Sequence, residues 1–198
     1  MHRWLADPLA RKAGPPRVNL LPGLYVPPAV NSRAPDWLIL IGCSVFLAML
    51  LVSAIWDPSI RWLHFFQAWM YIATIWLSLR KNAWGYFIGL SAAGLWAYGN
   101  LFVTTFFRNG VQQLVLWLQT GHLNRPDLLI AVPAWLANAF VVLGCGLGYA
   151  QLAGKKGSDW ARFLLAFALT TGFFALDMAI FQPRYLPFFR GMLHPHLP

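Results

Sequence analysis

The sequence predicts an all-α protein, a polytopic membrane helix bundle with five transmembrane helices and one interfacial amphipathic helix. Five apolar stretches fill most of the 198 residues. Each is long enough, at about 1.5 Å per helical residue, to cross a hydrocarbon core of ~30 Å. Only 11% of the residues are charged, against about 25% in soluble domains. The 11 Trp, 15 Phe and 6 Tyr also suit the aromatic belts of membrane interfaces.

The chain divides by composition into an arm, a bundle and a tail. Residues 1–36 are basic and contain repeated prolines, which exclude a long helix there. The arm is too long for the first part of a signal peptide, and the apolar stretch after it spans fully, so we expect no cleaved leader. We predict a cytoplasmic arm over 1–36, the bundle over 37–182, and a short outer tail over 183–198.

The apolar stretches and their short connections define the predicted spans. The spans cover residues 37–55, 63–79, 83–105, 128–153 and 160–181. The connections 56–62, 80–82 and 154–159 are short, so successive helices are expected to be antiparallel neighbours. Within the first connection, Pro58 favours a turn.

The segment 106–127 has a helical pattern of its own. Apolar residues recur at intervals of three and four (Val111, Leu114, Val115 and Leu118), and glutamines occupy other positions. This pattern predicts an amphipathic helix at the outer interface over about 109–120. A sixth span is the alternative, but its apolar part would be short.

The distribution of basic residues predicts the orientation. With five spans, ten of the 15 Lys and Arg residues lie on the side of the N-terminus and five on the other side: Arg61, Arg108, Arg125, Arg184 and Arg190. Because Lys and Arg are enriched on the cytoplasmic side, we expect a bacterial inner-membrane protein with a cytoplasmic N-terminus and an external C-terminus. The formal net charge of +9 is therefore attributed to topology and to anionic lipid headgroups, and nucleic acid is not expected as a partner.

Two predicted spans carry small residues at the spacing that lets helices approach closely. In the third span, Gly85, Gly89, Ala93 and Ala97 fall on every fourth position. In the fourth span, Gly144 and Gly148 repeat this spacing. These six residues are predicted to pack helices together, either within the bundle or against another protein.

Asp177 is the acidic residue placed well inside a predicted span, which makes it a candidate for function. In the predicted orientation, His64, Gln67, Asn100 and Arg184 lie near the same outer level. Two interpretations are favoured for these five residues, and contact with a neighbouring subunit or a pigment is a third. One is a structural ion pair of Asp177 with Arg184 or Arg108, and the other is a ligand or proton site in which His64 titrates near neutrality.

The sequence contains no motif for catalysis. Nucleophile–base pairs, paired carboxylates, phosphate-binding loops and dinucleotide fingerprints are absent, and the histidines give no metal-ligand spacing. No catalytic residue or metal ligand is therefore predicted, the cofactor is unknown, and a protein that is not an enzyme is favoured over an enzyme.

Two functions fit these observations. The scarcity of intramembrane polar groups, the small-residue faces and the arm favour an accessory or structural subunit of a larger respiratory, photosynthetic or transport complex. Its partners would be the lipid bilayer and other membrane protein subunits. The alternative is a small-molecule transporter or binding protein that uses the polar cluster around Asp177. It predicts a hydrated cavity between the helices that reaches Asp177 and Asn100, whereas a subunit predicts a dry bundle with a broad apolar flank covered by another chain.

Overall fold

The computed structural model describes residues 32–187, which form helices joined by short connections, with no strand in this range. The helices are α1 Ala34–Trp56, α2 Arg61–Leu79, α3 Ala83–Tyr98, α4 Phe106–Thr120, α5 Pro126–Leu129, α6 Ala131–Gln151 and α7 Asp159–Phe181. The predicted all-α class is therefore confirmed. Nearly all of the predicted arm and most of the predicted tail lie outside the described residues.

In the part of the chain that the structure describes, four helical stretches are long and apolar enough to cross a membrane, and they fit an integral membrane protein. They are Ala34–Trp56, Ala83–Val103, Pro126–Gln151 and Asp159–Phe181. Each overlaps one of the predicted spans. The helix α2 is the predicted span that is not among the four, because Arg61, His64 and Gln67 lower its mean hydropathy.

The helix α2 has its polar residues inside and its large apolar residues outside. The buried positions include Gln67, Tyr71, Thr74 and Ser78, which follow each other at intervals of three and four along one face. The exposed positions are Trp62, Phe65, Trp69, Ile72, Trp76 and Leu79. This arrangement is the reverse of a helix on the surface of a soluble protein, which faces water with its polar residues.

The helices pack around α3, which contacts α2, α6 and α7, while α1 contacts α2 and α6. Glycines allow α1 and α6 to approach closely from both sides. A Cβ atom added to Gly144 would lie 2.9 Å from the backbone nitrogen of Ile39 in α1. A Cβ atom added to Gly42 would lie 2.6 Å from the carbonyl oxygen of Ala137 in α6. Such distances are too short for a methyl group, so both positions require glycine unless the helices separate.

The other predicted packing residues also lie against helices of this chain. Gly85 faces the α2 backbone at Leu77 and Ser78, and Gly89 faces the Thr74 side chain of α2. Of the remaining predicted positions, Ala93 is fully buried and Ala97 half-buried, and Gly148 faces the Tyr86 ring of α3. Within the described residues, the small-residue faces thus fill contacts inside the bundle.

A buried hydrogen bond links α2 to α6. The Tyr71 hydroxyl donates to Oδ1 of Asn138 at 2.7 Å, and Nδ2 of Asn138 donates to the carbonyl oxygen of Ala134 at 2.8 Å. Asn138 is fully buried, so water cannot replace either bond. The pair therefore fixes the rotation of both helices.

Two connections shape one end of the bundle. After α3 the chain makes a wider π-helical turn over Gly99–Val103 and then enters α4. The helix α4 begins before the predicted residue 109, ends at Gly121 with a left-handed φ of 69°, and packs against α5 and α6. Pro133 lies in the first turn of α6, where a missing N–H group removes no helical hydrogen bond.

Candidate functional site

A cavity of about 700 Å³ opens at the end of the bundle where α1 and α3 end and α2 and α6 begin. Most of its wall is apolar, contributed by Phe46, Met49, Leu50, Ile60, Leu63, Trp96, Val103, Phe106, Ile130, Ala134 and Met178. The polar residues of the wall are Ser53, His64, Gln67, Asn100, Thr104, Thr105, Asn109, Arg184 and Tyr185, and Pro187 also belongs to it. An apolar cavity with a few convergent polar groups is typical of a small-molecule site.

Gln67 supplies the most deeply buried polar group of the cavity. It lies three residues after His64 on α2, so both side chains project from the same face of the helix. Gln67 is only 8% exposed, and no described residue forms a hydrogen bond with its side-chain amide. Because Gln67 lines the cavity and its amide makes no hydrogen bond to a described residue, this group is suited to bind a ligand or an ordered water.

His64 presents one free ring nitrogen. Its Nδ1 lies 3.1 Å from the carbonyl oxygen of Leu50 in α1. A carbonyl oxygen only accepts, so Nδ1 carries the proton and donates. In the neutral ring Nε2 is then an acceptor, and no described residue occupies it.

Asn100 is placed by the π-helical turn that follows α3. Its Nδ2 donates to the carbonyl oxygen of Trp96 at 2.9 Å, and its Oδ1 accepts a weak hydrogen bond from Thr104 at 3.4 Å. Nearby, Nδ2 of Asn109 donates to the Thr105 hydroxyl at 3.2 Å. These amides are held mainly by local hydrogen bonds, and both residues line the cavity.

The rim of the cavity joins the α1–α2 connection to the end of α7. Oδ1 of Asp57 accepts from the backbone N–H and the hydroxyl of Ser59 at 3.0 and 2.6 Å. Arg184 lies 3.6 Å from Asp57 and donates to the Ser59 hydroxyl at 3.2 Å, and Gln182 donates to the Ser59 carbonyl. The pKa of Asp57 is lowered, chiefly by the Ser59 hydrogen bonds and to a lesser extent by the charge of Arg184. Asp57 is therefore ionised at neutral pH and offsets the charge of Arg184.

Asp177 lies away from the cavity wall, although its neighbour Met178 is part of that wall. It is 4% exposed, and neither of its carboxylate oxygens has a hydrogen-bond partner among the described residues. Arg184 instead contacts Asp57. The ion pair of Asp177 with Arg184 or Arg108 is therefore not formed within residues 32–187.

The structure brings together four of the five predicted site residues, His64, Gln67, Asn100 and Arg184, and leaves Asp177 outside. Sequence reasoning missed Asp57 and Asn138. Asp57 belongs to a segment interpreted only as a turn, although Asp before Pro and Ser is also able to accept local hydrogen bonds. Asn138 lies within an apolar span, and an amide side chain in such a position indicates a hydrogen bond between helices.

The described residues contain no group of three or more His, Cys, Asp or Glu side chains that could hold a metal ion. Over residues 32–187, the fold has four helical stretches that could span a membrane, and a polar-ended apolar cavity lies at one end of the bundle. Comparison with known proteins finds no matching family model, no similar curated protein and no similar solved structure.

Proposed function

We propose that this protein binds a small molecule in the cavity between α1, α2, α3 and α6, as a membrane transporter or binding protein. The single observation that carries the proposal is the buried Gln67 amide, which lines the cavity and has no partner among the described residues. A bundle that served only to pack against other subunits would gain nothing from an open cavity with such a group, because cavities and unpaired polar atoms both lower stability.

The membrane arrangement is part of the proposal. The inward polar face and outward aromatic face of α2 support a fifth span, since lipid chains accept Trp, Phe and Ile on the outside of a helix. The exposed Val115, Trp117 and Leu118 of α4 support its location at the interface. With the N-terminus in the cytoplasm of a bacterium, the cavity would open on the outer side of the inner membrane.

The experiment is a ligand screen on the full chain in lipid nanodiscs, read by thermal unfolding. A ligand at a hundred times its Kd is expected to stabilise the protein by about 2.7 kcal/mol. The variant Ser53→Phe places a ring in the cavity and should abolish the stabilisation by each hit. The matched control is Ile55→Phe on the same helix, where the side chain is 65% exposed and faces away from the core.

The outcome decides between the two functions. Hits that stabilise the wild type and Ile55→Phe but not Ser53→Phe support a ligand site in the cavity. Hits that stabilise all three proteins equally, or a broad screen without a hit, contradict it. The predicted accessory subunit is then the better hypothesis, and purification in mild detergent with identification of co-eluting proteins and pigments tests it directly.

A further inference from the structure

We infer that the cavity takes a neutral amphipathic molecule, with an apolar body and a head group that both donates and accepts hydrogen bonds. A hydroxyl or a primary amide has this chemistry. The inference rests on the proposed function, and it adds the chemical class of the ligand. It is drawn from three properties of the cavity: its apolar wall, its unpaired polar atoms and its balance of charge.

The apolar wall requires an apolar body. Phe46, Leu50, Leu63 and Trp96 come from three helices and line one cavity. Phe46 and Trp96 pack edge to face, with ring centroids 5.2 Å apart, so this part of the wall is rigid. A fully polar solute would leave these surfaces in contact with polar groups, and burial of apolar area would then contribute nothing to its affinity.

The unpaired polar atoms require a head group with both hydrogen-bonding functions. Nε2 of His64 accepts, since Nδ1 donates to Leu50. The Gln67 amide offers two N–H donors and one carbonyl acceptor. A ligand hydroxyl can donate to His64 while it accepts from Gln67, which satisfies both side chains with one atom. An ether or a hydrocarbon end would leave Nε2 of His64 unpaired.

The balance of charge disfavours an ionised head group. Among the described residues that line the cavity, Arg184 carries the permanent charge, and Asp57 lies 3.6 Å from it. The pair is close to neutral as a unit, so a carboxylate would meet repulsion from Asp57 as well as attraction from Arg184. An ammonium group would be attracted by Asp57 and repelled by Arg184. Neither ion has a free partner in the apolar part of the cavity, and an unpaired charge there is costly.

The test uses a photoreactive decanol with a diazirine on its chain, bound to the full chain in nanodiscs. Crosslinks are mapped by mass spectrometry, which separates the cavity wall from the lipid-facing surface. Unlabelled decanol, decanoate and decylammonium then compete at equal membrane concentrations. We expect decanol to displace the cavity crosslinks at about tenfold lower concentration than either ion. Butanol is included because a water-soluble ligand would need only a short chain, whereas a membrane-derived ligand would need a long one.

Variants connect the result to the proposed head-group contacts. His64→Phe and Gln67→Leu should each weaken decanol about tenfold, which corresponds to ~1.4 kcal/mol for a lost buried hydrogen bond. The matched controls His122→Phe and Gln112→Leu change the same residue types at exposed positions and should have no effect. Asp57→Asn removes the charge that offsets Arg184, so it should improve competition by decanoate and leave decanol unchanged.

The inference and the proposed function fail in different ways. Equal competition by the three compounds, with crosslinks still in the cavity, overturns the neutral class and leaves the ligand site intact. Stronger competition by decanoate than by decanol in the wild type also overturns the neutral class of ligand and leaves the ligand site intact. If the photoreactive decanol crosslinks only to the lipid-facing surface, and no screened compound gives a stabilisation that Ser53→Phe abolishes, the inference and the proposed function are both wrong. Preference for decanol in the wild type, lost in His64→Phe and kept in His122→Phe, supports the class whichever chain length is preferred.

Discussion

Replacement of Gly144 by alanine is expected to destabilise the bundle, whereas the same replacement two residues later should not. Both glycines lie within α6. The added methyl group at Gly144 would lie 2.9 Å from the backbone nitrogen of Ile39 and 2.9 Å from Cβ of Leu38. At Gly146 no heavy atom lies within 4 Å of the added group.

The magnitude follows from two opposing effects. Alanine in a helix is more favourable than glycine by about 0.5–1 kcal/mol, and this gain applies at both positions. Contacts of 2.9 Å are well inside the optimal separation of about 3.5–4.0 Å. Relief of the overlap at Gly144 requires movement of α1, and overpacking of this kind costs ~1–3 kcal/mol. The expected net loss for Gly144→Ala is therefore up to about 2.5 kcal/mol, against a gain of about 0.5–1 kcal/mol for Gly146→Ala.

The assay is reversible unfolding in mixed micelles with increasing SDS, followed by circular dichroism for both variants and the wild type. The difference between the two variants is the decisive quantity, because it removes the common effect of helix propensity. Equal stability of the two variants would refute the close packing of α1 on α6 and the reasoning built on it.

Two further predictions use the same assay. Tyr71→Phe should lower the free energy of unfolding by about 1 kcal/mol, since Oδ1 of the buried Asn138 loses its donor. A loss that persists in full when Asn138 is already replaced by leucine would show that the hydrogen bond is not the cause. Asp177→Asn should not lower stability at neutral pH, because the carboxylate has no partner among the described residues. A loss of ~3–5 kcal/mol would instead indicate a broken buried ion pair.

The sequence was sufficient for the class of fold and for most helices. Apolar length marks α1, α3, α6 and α7, since a helix satisfies its own backbone polar groups in lipid. The helix α2 is harder to identify, because its buried Gln67 and Tyr71 are counted as unfavourable by any average over the segment. Periodicity contains the missing information: its polar residues share one face.

The sequence predicts which residues of the candidate site lie near the same end of the helices, but it does not predict which side chains touch. Helix lengths alone predict that His64, Gln67, Asn100 and Arg184 lie near one level, and the structure places them on one cavity. Contacts between side chains depend on how each helix is rotated about its axis. The sequence does not show that the rotation of α7 directs Asp177 away from the cavity. The pairing of Arg184 with Asp57 depends on the local turn that Ser59 stabilises. The sequence pattern indicates the turn at Asp57 and Ser59, but it does not indicate that Arg184, far along the chain, contacts this turn.

The inverted polarity of α2 has a consequence for biogenesis. A helix with Arg61, His64 and Gln67 in its first two turns is a poor substrate for insertion into a bilayer by itself. The strongly apolar α1 precedes it, and only the residues 57–60 separate the two. As a proposed span, α2 would leave the translocon together with α1, as a helical hairpin in which His64 bonds to Leu50 of α1. The rest of its polar face would still need α3, which contacts Thr74 and Ser78, and α6, whose Asn138 accepts from Tyr71. The pairing of α1 with α2 would then be an early step of folding, which the packing of α3 and α6 against α2 completes.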